Sequence, residues 1–238
     1  MEKLLILTGA GISAESGLGT FRDRDGIWSR YDLNAVATPE GFAHNPLLVH
    51  EFYDARRAAS RAAQPNAAHH ALARLEREFP GEVLIVTQNV DDLHERGGSR
   101  RVLHMHGSLE GALCAECGHR WPAPAVMLAS VPCPVCSASR IRPDIVWFGE
   151  YPYHMEEIWQ ALRQADVFVA IGTSGTVYPA AAFAQDAARA GAWCLELNAE
   201  ASATAPDFDA LRLGPATRLV PDWVNEVLTH GTAGKQPG

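Results

Sequence analysis

Leu4-Leu5-Ile6-Leu7-Thr8-Gly9-Ala10-Gly11-Ile12-Ser13 decides how the rest of the chain is read. The apolar run does not alternate, as expected of a strand buried on both faces of a parallel sheet. The glycines after it let the backbone come close to a ligand, and a helix opening there offers unpaired N–H groups to a pyrophosphate. The next glycine is Gly17, so the spacing departs from G-x-G-x-x-G, and standing alone the stretch serves equally as a plain structural turn. A second such turn, Gly172-Thr173-Ser174, follows the apolar run 167–171, and the next run ends at Glu196-Leu197-Asn198, 26 residues past Gly172. In dinucleotide folds a polar group roughly 20 residues beyond the glycine turn holds a ribose hydroxyl. Two ordinary turns between strand and helix would look the same.

Working outward, further buried strands are expected at 83–86, 102–105 and 193–197, with 145–148 apolar again. Helical spacing marks 46–63, 66–79, 155–164, an Ala-rich 179–190, and 221–228 with Pro221 at its start. Strands alternating with helices imply an α/β fold, a doubly wound parallel sheet. Residues 111–145 break the pattern with cysteines, prolines and small residues, as an inserted module would. The expected organisation is a discontinuous nucleotide-binding domain (1–30, 81–110, 146–229), a smaller helical and zinc-binding domain (31–80, 111–145), and a disordered tail (230–238).

That module holds Cys114-x-x-Cys117 and Cys133-x-x-Cys136, fifteen residues apart. Two such knuckles supply four thiolates, which close a tetrahedron around zinc and leave no position for water, so the ion would be structural. Cys194, inside a strand, reads as a small apolar residue. Charge limits the partners. A net −8 with no Lys/Arg run argues against nucleic acid or an anionic membrane as the main contact. No apolar stretch approaches the ~20 residues of a membrane span. The first strand lies so near Met1 that no targeting peptide is expected, and the expected location is the cytoplasm.

Val86-Thr87-Gln88-Asn89-Val90-Asp91 and Leu103-His104-Met105-His106-Gly107 each place polar side chains just past a buried strand. Open α/β sheets bind ligands at the carboxyl ends of their strands. His106, past its strand, is the better placed histidine to face a ligand; His104, within the strand, is expected to point into structure. His44, His50, His69, His70, His119 and His154 are expected to have surface or structural roles.

Taken in order, GAGIS…SG…FR (9–22), TQNVDDLH (87–94), HMHG (104–107), the cysteine quartet, RPDIVWFGE (142–150), GTS (172–174) and LNAE (197–200) resemble the sirtuins over essentially residues 4–228. The resemblance implies a Rossmann-like domain, a small zinc-bearing domain, and a cleft between them for NAD and an acyl-lysine peptide. It implies NAD contacts at Gly9, Ala10, Gly11, Ser13, Phe21 and Arg22, and a nicotinamide-side pocket at Gln88, Asn89, Val90 and Asp91. Gly172, Thr173, Ser174, Asn198, Ala199, Glu200 and Ala216 would stand on the adenosine side. His106 matches the catalytic base, with Asn89 and Asp91 orienting ribose and water. Val146, Trp147, Phe148 and Gly149 resemble the strand that pairs with the substrate backbone. Many members carry Pro-Asp before the Phe-Arg of the cofactor loop; Gly19-Thr20 here departs from that and loosens the loop.

The implied reaction is NAD-dependent removal of acyl groups from protein lysine, giving nicotinamide and O-acyl-ADP-ribose. Tyr53 and Arg56, three apart on a helix, share a face and could bind a carboxylate; on the residues alone the same pair reads as a solvated helix face. Within the resemblance the pair matches the Tyr-x-x-Arg of sirtuins that remove succinyl, malonyl or glutaryl groups. Two other readings stay open: an NAD-dependent ADP-ribosyltransferase on the same scaffold, and a zinc-ribbon module binding nucleic acid. Oligomeric state is not written in the sequence.

Overall fold

The computed structural model describes residues 1–19, 31–127 and 132–232. Strand β1 (Lys3–Thr8) is flanked by β2 (Glu82–Thr87) on one side and β7 (Val167–Ile171) on the other. With β3 (Val102–His104), β8 (Trp193–Asn198) and β9 (Ala210–Leu213) they form one sheet, order β3-β2-β1-β7-β8-β9, parallel throughout. All five residues of β7 are buried, which is why the run shows no alternation. The strand order reverses between β1 and β7, so the crevice beyond their carboxyl ends is the switch point where such sheets take ligands.

Helices cover both faces. One face buries Leu4, Ile6, Val83, Val169 and Leu195 against α5 (Ala67–Glu78) and α9 (Ala216–His230). The other buries Leu5, Leu7 and Phe168 against α7 (Met155–Gln164) and α8 (Phe183–Arg189). The stretch containing α5, grouped with the small domain on sequence grounds, packs Ala68, Leu72 and Leu75 on the sheet instead. The last helix begins at Ala216, not at Pro221. Val220, Trp223, Val224 and Val227 give it a buried stripe that outweighs the backbone hydrogen bond Pro221 cannot donate. The Ala-rich stretch divides into a 3-10 turn, Ala180–Ala182, and α8.

A second unit holds α2 (Leu33–Val36), α3 (Pro39–His44) and α4 (Pro46–Ala62). It also holds an antiparallel sheet, β5-β4-β6, made of β4 (Gly107–Cys114), β5 (Arg120–Pro122) and β6 (Ile141–Ile145). Arg57, with no exposed surface, pins α4 to this sheet: Nε donates to the Leu109 carbonyl and Nη1 to Asp54, whose carboxylate accepts from the Met127 amide. Among the described residues no helix is long and apolar enough to cross a membrane.

Candidate active site

Two glycine turns meet at the switch point. The Gly9 amide donates to the Ile171 carbonyl (3.0 Å) and that of Gly11 to Gly172 (2.9 Å). A Cβ on Gly11 would lie 2.6 Å from the Gly172 Cα; one on Gly172, at φ +62°, would lie 2.6 Å from the Ile12 amide nitrogen. Only glycine fits either position. The turn leads into a short helix, α1 (Gly11–Ala14), and this backbone cradle is the observation that fits a dinucleotide.

Beneath it lies a polar network. Asn66 caps α5 and receives the His69 ring in return: the Asn66 amide donates to His69 Nδ1 (3.2 Å). His69 Nε2 therefore carries the proton and faces Ser13 Oγ at 3.5 Å. Ser13 Oγ also accepts from Asn89 Nδ2 (3.2 Å) and donates to Asp91 Oδ2 (3.2 Å), with the Leu93 amide on Oδ1. Thr8 Oγ1 donates to Thr87 Oγ1 (2.8 Å), so the His94 Nε2 hydrogen is the donor to Thr8 (2.9 Å). Burial, reinforced by His70, holds the His69 pKa down to about 4; burial, with His69 and His104, takes that of His94 well below normal. Burial raises the pKa of Asp91. From the sequence, His69 reads as a surface or structural residue, and it is buried here. The readable sign was Asn66-x-x-His69, a helix cap whose ring is thereby aimed at the cofactor turn.

His106 stands just past β3. Its Nδ1 donates to the Gln88 carbonyl (3.1 Å), which leaves Nε2 as a bare acceptor. Burial lowers its pKa against the pull of that carbonyl, so the ring is neutral near pH 7. His104 is tied down, with Nδ1 at the Asn89 carbonyl (3.1 Å) and Nε2 at Glu95 (2.8 Å).

Across the sheet, Thr173 is buried and Asn198 Nδ2 donates to its carbonyl (2.8 Å), while Ser174 Oγ pairs with Thr176. Ala199 and Glu200 are exposed. Ala216 opens α9, and the next residue, Thr217, ties it to Glu15 of the cofactor turn. The candidate residues thus line the carboxyl ends of five adjacent strands, β3, β2, β1, β7 and β8. Phe21, Arg22 and Thr20 of the Gly19-Thr20 departure lie outside the described residues.

Two expectations change. Residues 146–149 are not a strand: β6 stops at Ile145. The Val146 amide is used by the His106 carbonyl, that of Phe148 by Ala37, and Gly149 turns at φ +88°. Phe148 stays exposed, whereas the Trp147 side chain is buried with Val90 in the core of the helical unit. The pair on α4 is also no solvated face. Tyr53 is buried, its pKa raised by that burial, and its hydroxyl accepts from Trp147 Nε1 (2.9 Å). The Arg56 guanidinium lies 5.6 Å from the Phe52 ring centre and 5.7 Å from that of Tyr53, and burial lowers its pKa against the fields of Tyr53 and Asp91.

The four cysteine sulfurs all lie within 4.8 Å of one another, with Cys114–Cys136 at 3.6 Å and Cys117–Cys133 at 3.7 Å. The edge of a tetrahedron with 2.3 Å zinc–sulfur bonds is ~3.8 Å. The quartet therefore fits a closed, structural zinc site.

Comparison with known proteins agrees with this geometry. The model of the Sir2 family matches residues 9–179. The chain is 54% identical over 232 residues to the NAD-dependent protein deacylase of Caulobacter vibrioides, covering 96% of this chain and 98% of that one. It is 49% identical over 230 residues to the enzyme of the same name from Bdellovibrio bacteriovorus, covering 95% and 97%. Among solved structures, a Sir2 homolog–NAD complex superposes with a TM-score of 0.88 at 38% identity, covering 97% of this chain and 91% of that one. A Sir2 complex with 2′-O-acetyl-ADP-ribose and a deacetylated p53 peptide superposes with a TM-score of 0.78 at 28% identity, covering 96% and 93%.

Proposed function

The chain belongs to the Sir2 family, and from that premise we propose that it removes acyl groups, acid-tipped ones included, from protein lysines in an NAD-dependent reaction. The observation that carries this reading is the bare His106 Nε2 beside a backbone cradle that only glycines can form. NAD, when bound, would supply an electrophilic ribose carbon: the acyl oxygen bonds to it as nicotinamide leaves, and water then frees the lysine amine from O-acyl-ADP-ribose.

The rest falls to the protein. Gly9, Gly11 and Gly172, none with room for a side chain, would let the phosphates come close to the backbone of the turn at Ala10. His106 accepts the proton of a ribose hydroxyl at Nε2, and its depressed pKa keeps that nitrogen free at working pH. Asn89 and Asp91, held through Ser13, orient the groups around it. Cys114, Cys117, Cys133 and Cys136 would hold zinc, and four thiolates would leave it a structural part in the module rather than one in the chemistry.

Peptide would enter between the two units, along 146–149, and we place the boundary between the units at the α4–α5 connection. Tyr53 and Arg56 support a preference for acyl groups that end in a carboxylate: a phenol and a guanidinium side by side match two carboxylate oxygens. The net charge of −8, with no Lys/Arg run in the sequence, suits protein substrates in the cytoplasm better than nucleic acid or membrane.

The test is mass spectrometry of matched acetyl-lysine and succinyl-lysine peptides with and without NAD. NAD-dependent loss of both acyl groups is expected, and Arg56→Met should cost desuccinylation ten-fold or more, about the worth of a charge-assisted hydrogen bond. Loss of acetyl alone would keep the deacylase and remove the acid preference. Addition of ADP-ribose to the peptide would point to the transferase.

A further inference from the structure

Trp147 sits in a clamp. Its backbone amide donates to Glu150 Oε2 (2.9 Å). Arg142, itself buried, donates from both Nη atoms to the same carboxylate (2.6 and 2.8 Å) and from Nη2 to the Ile145 carbonyl (2.6 Å). The guanidinium lies flat enough to put its Cζ 3.4 Å from the centre of the indole ring. Phe42 closes the other approach, 5.3 Å between ring centres. The indole has nowhere to turn, and its N–H points at the Tyr53 oxygen.

A phenol can accept and donate. Here the acceptor role is filled by the Trp147 N–H, and among the described residues the Tyr53 proton meets no acceptor. A buried donor left unmet is costly, and a negatively charged oxygen is the acceptor that rewards it most. Burial also raises the phenol's pKa, so the proton is kept. We propose that Trp147 is a positioning residue for acyl specificity: its N–H fixes the Tyr53 hydroxyl as a donor to the terminal carboxylate of the acyl group, next to Arg56.

The inference rests on the acid-acyl reading above and adds to it a residue that touches no substrate through its side chain. It also gives the Arg142–Glu150 ion pair a task, since the pair sets where the indole lies. The same positions would otherwise count only as packing.

The experiment is a double-mutant cycle on Trp147→Phe and Tyr53→Phe, with kcat/KM measured for matched succinyl- and acetyl-lysine peptides. Losing a charge-assisted hydrogen bond corresponds to about 10- to 100-fold, so Tyr53→Phe should lower the succinyl-to-acetyl ratio by that much. Trp147→Phe should lower the ratio by about 5- to 10-fold, through KM for the succinyl peptide rather than kcat, with much smaller loss on acetyl. In the Tyr53→Phe background it should lower the ratio no further. Equal loss on both peptides, or a full second loss in the double variant, overturns the role of Trp147 while leaving the acid reading intact. A wild-type protein that removes acetyl but not succinyl overturns both. If Trp147→Phe does not fold, Glu150→Gln loosens the clamp without opening a cavity and should shift the ratio the same way, by less; an unchanged ratio overturns the coupling.

Discussion

The parallel sheet and the zinc module are built on different physical terms. Among the described residues, eighteen buried apolar side chains pack on one face of the sheet and sixteen on the other. The module's own cluster has six, two of them cysteines. Ordering each residue costs roughly 1–2 kcal/mol, and burying a large apolar side chain returns about 1.5–3 kcal/mol, so six groups of which only Met127 and Ile141 are large cannot hold the module. Metal must supply what hydrophobic burial does not. The second unit thus rests partly on the ten buried apolar side chains of its helical core and partly on a module in which an ion would take the place of burial.

Removing that ion should give the largest effect. Structural zinc contributes apparent free energies of ~10–16 kcal/mol in small domains, so Cys133→Ser should lose zinc, amide protection around 107–145, and peptide deacylation together. Because Arg57 and Asp54 join α4 to the module, the Tyr53–Arg56 wall should loosen too. Hydrogen exchange in β1, β2 and β7 should stay slow. A Cys133→Ser protein that keeps its metal, or one whose whole sheet opens, would break the comparison.

Replacing His106 by Ala probes the opposite wall. General-base catalysis supplies about 10²- to 10⁴-fold, and the side chain carries no part of either core. kcat should fall by that factor while NAD affinity and melting temperature stay near wild type. Retained turnover would take His106 out of the reaction. A collapse in stability would mean that its bond to the Gln88 carbonyl is structural.

What could be read beforehand follows the same division. Apolar runs and helical spacing are local signals, so β7 and α7 were placed to the residue and the cysteine quartet by spacing alone. What escaped depends on contacts between distant segments. Pro221 looks like a helix start because the buried stripe that carries the helix through it becomes visible only against the sheet. Trp147 looks like part of an apolar strand because its hydrogen-bond partner lies 94 residues away. That the His69 ring meets Ser13 is likewise invisible in the sequence, because the two lie 56 residues apart.

Acid separates the walls by a smaller margin, and the sign can be worked out. His69, fully buried, titrates in the folded protein near 4 against 6.5 unfolded. Between those values the unfolded chain binds a proton that the folded one refuses, so stability falls as pH drops from 6.5 toward 4, by on the order of 3 kcal/mol for this residue. His94 acts with the same sign. Burial lowers His104 too, but Glu95, the Asn89 carbonyl and Asp91 together raise it, so its contribution is lost only as pH climbs above 6.5 and does not enter this window. Asp91, held up by burial, opposes the histidines and takes back part of the slope at the acid end. Thiolate protonation would also release zinc, but excess metal offsets that loss and cannot offset the histidines. Urea midpoints from pH 6.5 to 5 in excess zinc should therefore still decline. His94→Gln should remove up to one proton's worth of that slope, about 1.4 kcal/mol per pH unit. An unchanged slope would mean that His94 already takes its proton in the folded state, and that the wall thought to stand on hydrophobic burial carries a charge beneath its cofactor turn.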